Sequence, residues 1–138
     1  MAVATHVSYR VIAPTWPSLA AATDSLYAAL HVSGYATATL TCLIVVVAAS
    51  EEFVFRGTAI ERDATTTPLE KLPHLAMWAA IYALTTLPLG SPLLMICAFA
   101  CGLIWGALRL ATGSLVVAVL AHVIWDLGVL VLWPLQTI

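Results

Sequence analysis

The stretch Ala36 to Ser50, followed at once by Glu51-Glu52-Phe53-Val54-Phe55-Arg56, decides the reading of this chain. Fifteen uncharged, mostly apolar residues run straight into two carboxylates and an arginine. An ionised side chain at bilayer depth costs at least ~2.5–3.5 kcal/mol, so an intramembrane charge cluster is a functional-site hypothesis by default. A second polar pair, His122 and Asp126, lies inside another apolar segment.

The composition supports a lipid solvent. Of 138 residues, 62% are hydrophobic and 9% charged, and the mean hydropathy is +1.02. A water-soluble domain of this size carries about 25% charged residues. The net charge of −2 is too small to suggest nucleic acid as a partner, no basic cluster tracks a phosphate backbone, and the partner that composition implies is membrane lipid. Cys42, Cys97 and Cys101 all lie in apolar stretches, and an odd number without a spaced framework argues against structural disulfides. Cys97 and Cys101 share a helix face, which suits a soft metal; small packing residues are the plainer reading.

Working outward, a helix is expected from about Tyr35 to Thr58, then a polar loop from Glu61 to Lys71. A short helix follows from about Pro73 to Leu87, with a tight turn at Leu87-Pro88-Leu89-Gly90-Ser91-Pro92. Two further helices are expected over about Leu93 to Leu110 and Leu115 to Trp133, separated by Ala111-Thr112-Gly113-Ser114. Three of these approach the ~20 residues needed to cross ~30 Å of hydrocarbon. Upstream, Leu19, Ala22, Leu26 and Leu30 recur at helical spacing, while Asp24, Ser25 and His31 break the apolar stretch. That pattern suits a helix lying at the interface. Pro14 and Pro17 interrupt what would be the core of a signal peptide, so none is expected. The reading is an all-α polytopic membrane protein: residues 1–33 form an N-terminal segment with an interfacial helix, and residues 34–138 a core of about four transmembrane helices.

Arg56, Arg62, Lys71 and Arg109 flank the two connections on one side, against Arg10 on the other, which places those connections in the cytoplasm. A bacterial-type cytoplasmic membrane is the expected location. Ala98, Gly102 and Gly106 form a row of small residues that lets helix backbones approach closely. Packing within the chain is the first reading of that row, and a homo-oligomer through Gly102 and Gly106 the second.

Glu52 and Arg56 are i,i+4 and pair along one flank of their helix. Consecutive helical residues point ~100° apart, so Glu51 and Glu52 are not expected to face one target. Glu51 is left to act as a general base. His122 and Asp126 are again i,i+4; an imidazole holds a water or an oxyanion, and a neighbouring carboxylate fixes its tautomer. With ~1.5 Å rise per residue, Glu51 and His122 both lie roughly 10–12 Å from the same membrane face, so the two pairs are expected to meet. His74 reads as an exposed residue at a helix end.

These residues resemble the motifs of the CPBP family of intramembrane proteases (CAAX proteases and bacteriocin-processing enzymes, also called the Abi family). Glu51, Glu52 and Arg56, followed by Gly57, match its Glu-Glu-x-x-x-Arg motif, and His122 and Asp126 match a close variant of His-x-x-x-Asn. Gly102, Gly106, Arg109, Thr112, Gly113 and Ser114 match the lead-in to the later motif. The resemblance covers about Thr37 to Leu132. It implies that Glu51 activates water, that His122 assists, and that Asp126 helps hold the oxyanion. The family's Phe-x-x-x-His motif is departed from: Tyr82 takes the aromatic position and Thr86 stands where histidine belongs. A threonine hydroxyl neither holds a proton near neutral pH nor ligates a metal well, although it hydrogen-bonds water.

The resemblance therefore implies an intramembrane endopeptidase acting on a membrane-associated protein or peptide substrate, with Glu51, His122, Asp126 and Thr86 at its site and Glu52 and Arg56 in support. The sequence names no cofactor and leaves open whether a metal is needed; a divalent metal, if one is used, would fall to Glu51 and His122. The alternative is a catalytically impaired relative acting as a membrane binding protein. A proton-relay transporter is a third class, but no internal repeat supports it.

Overall fold

In hydrocarbon each backbone N–H and C=O must be satisfied within its own segment, so an uncharged run at that depth becomes a helix. The run ahead of Glu51 does so as α3, Thr37–Glu52. The computed structural model describes residues 1–31, 36–58 and 70–135, and every element among them is helical. The others are α1 (Ala2–Ile12), α2 (Pro17–His31), α4 (Leu72–Thr85), α5 (Pro92–Thr112) and α6 (Leu115–Asp126). Tyr35 and the polar residues from Glu61 to Leu69 lie outside the described residues.

Four continuous helical segments are long and apolar enough to cross a membrane: Thr37–Thr58, Leu72–Leu89, Pro92–Thr112 and Leu115–Leu132. Two of them change pitch. α3 continues through Phe53–Thr58 as a π-helix, beginning immediately after the paired glutamates. α6 does the same over Leu127–Leu132, immediately after Asp126. The short α4 is extended by a 3-10 turn at Leu87–Leu89. Ser91 then caps α5, its hydroxyl accepting from the Leu94 amide at 3.3 Å, with Pro92 at the first helical position, where no amide is needed. α5 ends at Gly113, whose φ of 64° is the left-handed conformation that favours glycine.

One helix was not expected from the sequence. Val3, Val7 and Val11 recur every four residues in α1, but Thr5, His6, Ser8 and Arg10 dilute the pattern. The break to α2 falls at Pro14 and Pro17, which have no amide to donate to the preceding turn.

The chain forms two compact units, one of residues 1–46 and 123–138, the other Val47–His122. In the first, α1 approaches the π segment so closely that a methyl group at Gly128 would lie 3.2 Å from Ala2 Cβ. His6 stacks on Trp133 with ring centres 3.9 Å apart, and its two nitrogens reach the carbonyl oxygens of Ala2 and Trp133. Trp125 donates to the Thr5 hydroxyl at 3.0 Å. Tyr27 is fully buried; it donates to the Val129 carbonyl at 2.5 Å and accepts from the Leu135 amide at 3.0 Å.

In the second unit, α4 and α5 pack together where Gly102 meets Ala79. A Cβ on Gly102 would stand 3.1 Å from both Cα and Cβ of Ala79, tighter than ordinary van der Waals contact. The row of small residues thus serves packing between helices of one chain at Gly102, the first of the two readings the sequence offered.

Candidate active site

The second unit holds the charge cluster, and His122 of α6 is at its centre. The imidazole is buried and stacked on Trp105 of α5, ring centres 3.8 Å apart and planes 17° from parallel. With the ring held flat, its two nitrogens face different partners. Nδ1 donates to Glu52 Oε1 at 2.9 Å. Nε2 lies 3.8 Å from Glu51 Oε2, beyond a direct hydrogen bond. A carboxylate on Nδ1 makes that nitrogen the proton carrier and turns the Nε2 lone pair toward Glu51.

The expectation that Glu51 and Glu52 face different targets is corrected here: both carboxylates converge on one imidazole. The ~100° between their Cβ directions is real, but each carboxylate sits on a flexible stem of two methylenes, and the target is a ring with a nitrogen on either side. The two glutamates straddle it. Nor does Glu51 stand alone, because the Tyr82 hydroxyl of α4 donates to Glu51 Oε2 at 2.8 Å.

Glu52 and Arg56 form the ion pair, Nη1 to Oε1 at 3.0 Å, with side chains 0% and 2% exposed respectively. The contact lacks the alignment of a hydrogen bond, and Nη1, Nη2 and Glu52 Oε2 have no such partner among the described residues. Aromatic faces compensate. The guanidinium carbon lies 4.7 Å from the centre of the Tyr82 ring, 5.7 Å from Trp105 and 5.9 Å from Phe55. Gly102 also lies against this group: a Cβ there would come within 3.4 Å of Arg56 Nη2. The Arg56 carbonyl accepts from Arg109 Nε at 3.3 Å, while Arg109 also donates to the Gly113 carbonyl, so α5 ties down the π turn that carries Arg56. Arg56 is thus a buried site residue, which weakens its use as a topogenic surface charge.

Thr86 and Asp126 are placed differently. Thr86 caps α4, and its hydroxyl donates to the Ala83 carbonyl at 2.8 Å within its own helix. Asp126, half-buried, is the last residue of α6 and belongs to the other compact unit. His74 is exposed and accepts from Trp78 Nε1 at 2.9 Å. Among the described residues no group of three or more His, Cys, Asp or Glu side chains is arranged to hold a metal ion. Cys42, Cys97 and Cys101 form no disulfide.

Sequence reasoning missed three residues of the site: Tyr82, Trp105 and Arg109. Tyr82 stood in the aromatic motif position but was not credited with its hydroxyl. A tryptophan between two glycines of an apolar helix, and an arginine three residues ahead of a Thr-Gly turn, are ordinary packing and capping signals. What they touch is decided by other helices.

Residues 33–128 match the family model described as Type II CAAX prenyl endopeptidase Rce1-like. The match spans more than half of the chain, and the protein belongs to that family of CAAX-type intramembrane proteases. It is accordingly an integral membrane protein. Comparison with curated proteins and with solved structures gave no match.

Proposed function

We propose that the protein is an intramembrane endopeptidase in which Glu51 activates water against a peptide carbonyl, acting on the C-terminal segment of a membrane-associated substrate. The observation that carries this reading is the arrangement of Glu51, His122 and Glu52: two carboxylates on opposite nitrogens of one stacked imidazole. A water beside Glu51 and His122 Nε2 gives one proton to the Glu51 carboxylate, and its oxygen adds to the carbonyl carbon. The tetrahedral oxyanion collapses, the C–N bond breaks, and the departing amine takes the proton from Glu51. His122 orients the water through Nε2, while Glu52 holds its tautomer from the far side. Asp126 is assigned to oxyanion support on its motif position alone. The membrane is proposed to be a bacterial-type cytoplasmic one, with cleavage near its cytoplasmic face.

The family description supplies the first substrate to try, an internally quenched peptide ending in a prenylated Cys-aliphatic-aliphatic-X box. Purified protein in lipid should release the terminal tripeptide, and Glu51→Gln should lower the rate by at least ~10²–10⁴-fold, the usual worth of a positioned acid–base group. Cleavage unchanged by Glu51→Gln would overturn the assignment. The second reading, a non-catalytic family member that binds a membrane partner, is favoured by the Thr86 hydroxyl being bound to Ala83. It predicts no cleavage by either protein and partner binding that survives Glu51→Gln.

A further inference from the structure

Glu51 lies at the end of α3 with its side chain 32% exposed. A glutamate there has three rotatable torsions, and a general base must hold one of its many rotamers to work. Something in the fold has to select it. Thr86, which stands at the family's histidine position, has its hydroxyl on its own helix.

Tyr82 stands one turn earlier on α4, and its hydroxyl donates to Glu51 Oε2 at 2.8 Å. The same oxygen lies 3.8 Å from His122 Nε2. The donor is itself packed in place: Tyr82 is 6% exposed, its ring covered on one face by the Arg56 guanidinium and met edge-on by Phe55 at 5.1 Å and 63°. A phenol so confined places Glu51 Oε2 beside the imidazole through one charge-assisted hydrogen bond. A phenol also keeps its proton at neutral pH, so in this pose it donates to Glu51 without competing for the proton of a water.

We infer that Tyr82 is the positioning residue for Glu51: its hydroxyl holds the carboxylate at His122. The catalytic consequence rests on the peptidase reading above; the hydrogen bond itself does not.

Tyr82→Phe removes one oxygen and keeps the ring between Arg56 and Phe55. Two measurements on the full chain in lipid test it. In infrared difference spectra the Glu51 carboxyl stretch, assigned by its loss in Glu51→Gln, should shift in Tyr82→Phe and stay in place in Thr86→Val. With the prenylated peptide, Tyr82→Phe should lower kcat about 10- to 100-fold, the worth of a hydrogen bond to a charged group, and change KM less than twofold. An unshifted carboxyl band in Tyr82→Phe overturns the inference whether or not the protein cleaves anything. Parental kcat in Tyr82→Phe, with Glu51→Gln inactive, overturns it while sparing the peptidase reading. If neither the natural chain nor any variant cleaves the peptide, the peptidase reading fails, and a shifted band still supports Tyr82 as the group that holds Glu51.

Discussion

Replacing Arg56 by alanine tests whether the Glu52–Arg56 pair supports the fold, and the structure sets the scale. At the observed 3.0 Å, two unit charges attract by about 5–6 kcal/mol in a medium of effective dielectric ~20. The guanidinium also lies over three aromatic rings, each contact worth ~0.5–2 kcal/mol. Against these stands the cost of burying both ions. Truncating one side of such a pair typically costs ~3–5 kcal/mol, because the other charge is left buried without its partner. Here that charge is Glu52, 0% exposed, with His122 Nδ1 as its remaining donor. A loss of this size approaches the whole stability of an ordinary domain, ~5–15 kcal/mol. Arg56→Ala should therefore give little folded protein in lipid and a much lower unfolding midpoint. Arg56→Lys keeps the charge but loses the planar group that stacks on the rings, and should fall between alanine and parent. Folded yield and thermal unfolding in the same detergent–lipid mixture measure this. If Arg56→Ala folded and unfolded like the parent while turnover fell, the pair would be acting on the reaction, and its structural assignment would be wrong.

Gly102→Ala would set a methyl group 3.1 Å from Ala79 Cα and Cβ. The overpacking should cost about 1–3 kcal/mol in thermal unfolding. Adding Ala79→Gly should recover only part of the loss, since the backbone of residue 79 still stands against the new methyl group. Burial pushes the Tyr27 hydroxyl above the usual tyrosine range; the nearby Tyr9 adds to the shift and the Leu135 amide opposes it. A value raised by folding means a stabilising contribution fully present below the ordinary tyrosine range and lost as pH rises through the raised value. In an alkaline titration followed by tyrosinate absorbance, the difference between the natural chain and Tyr27→Phe should therefore be a component that ionises later than free tyrosine. Tyr27→Phe should also cost about 1–3 kcal/mol, because the Val129 carbonyl loses its buried donor.

The sequence by itself determined the solvent and the four spanning helices, though not α1. Four apolar segments bounded by Pro, Gly and Ser have one solution in hydrocarbon, since a backbone there satisfies itself only locally. Their limits followed from residues such as Ser91, Pro92 and Gly113, whose effects reach no further than a turn. The polar residues were equally legible, because charge at that depth is too costly to keep by accident. The i,i+4 pairing of Glu52 with Arg56 was readable too, being contained within one helix.

What the sequence left open is how side chains on different helices meet. That Glu51 and Glu52 share one imidazole depends on where α6 sets His122 and on Trp105 holding its ring flat. Tyr82, on a third helix, reaches Glu51 while Thr86, one turn away on the same helix, does not. Helical periodicity gives the direction of a side chain from its own axis and says nothing of the distance to a neighbouring axis. That distance is set by close approaches such as Gly102 against Ala79, where two backbones come together because no side chain lies between them.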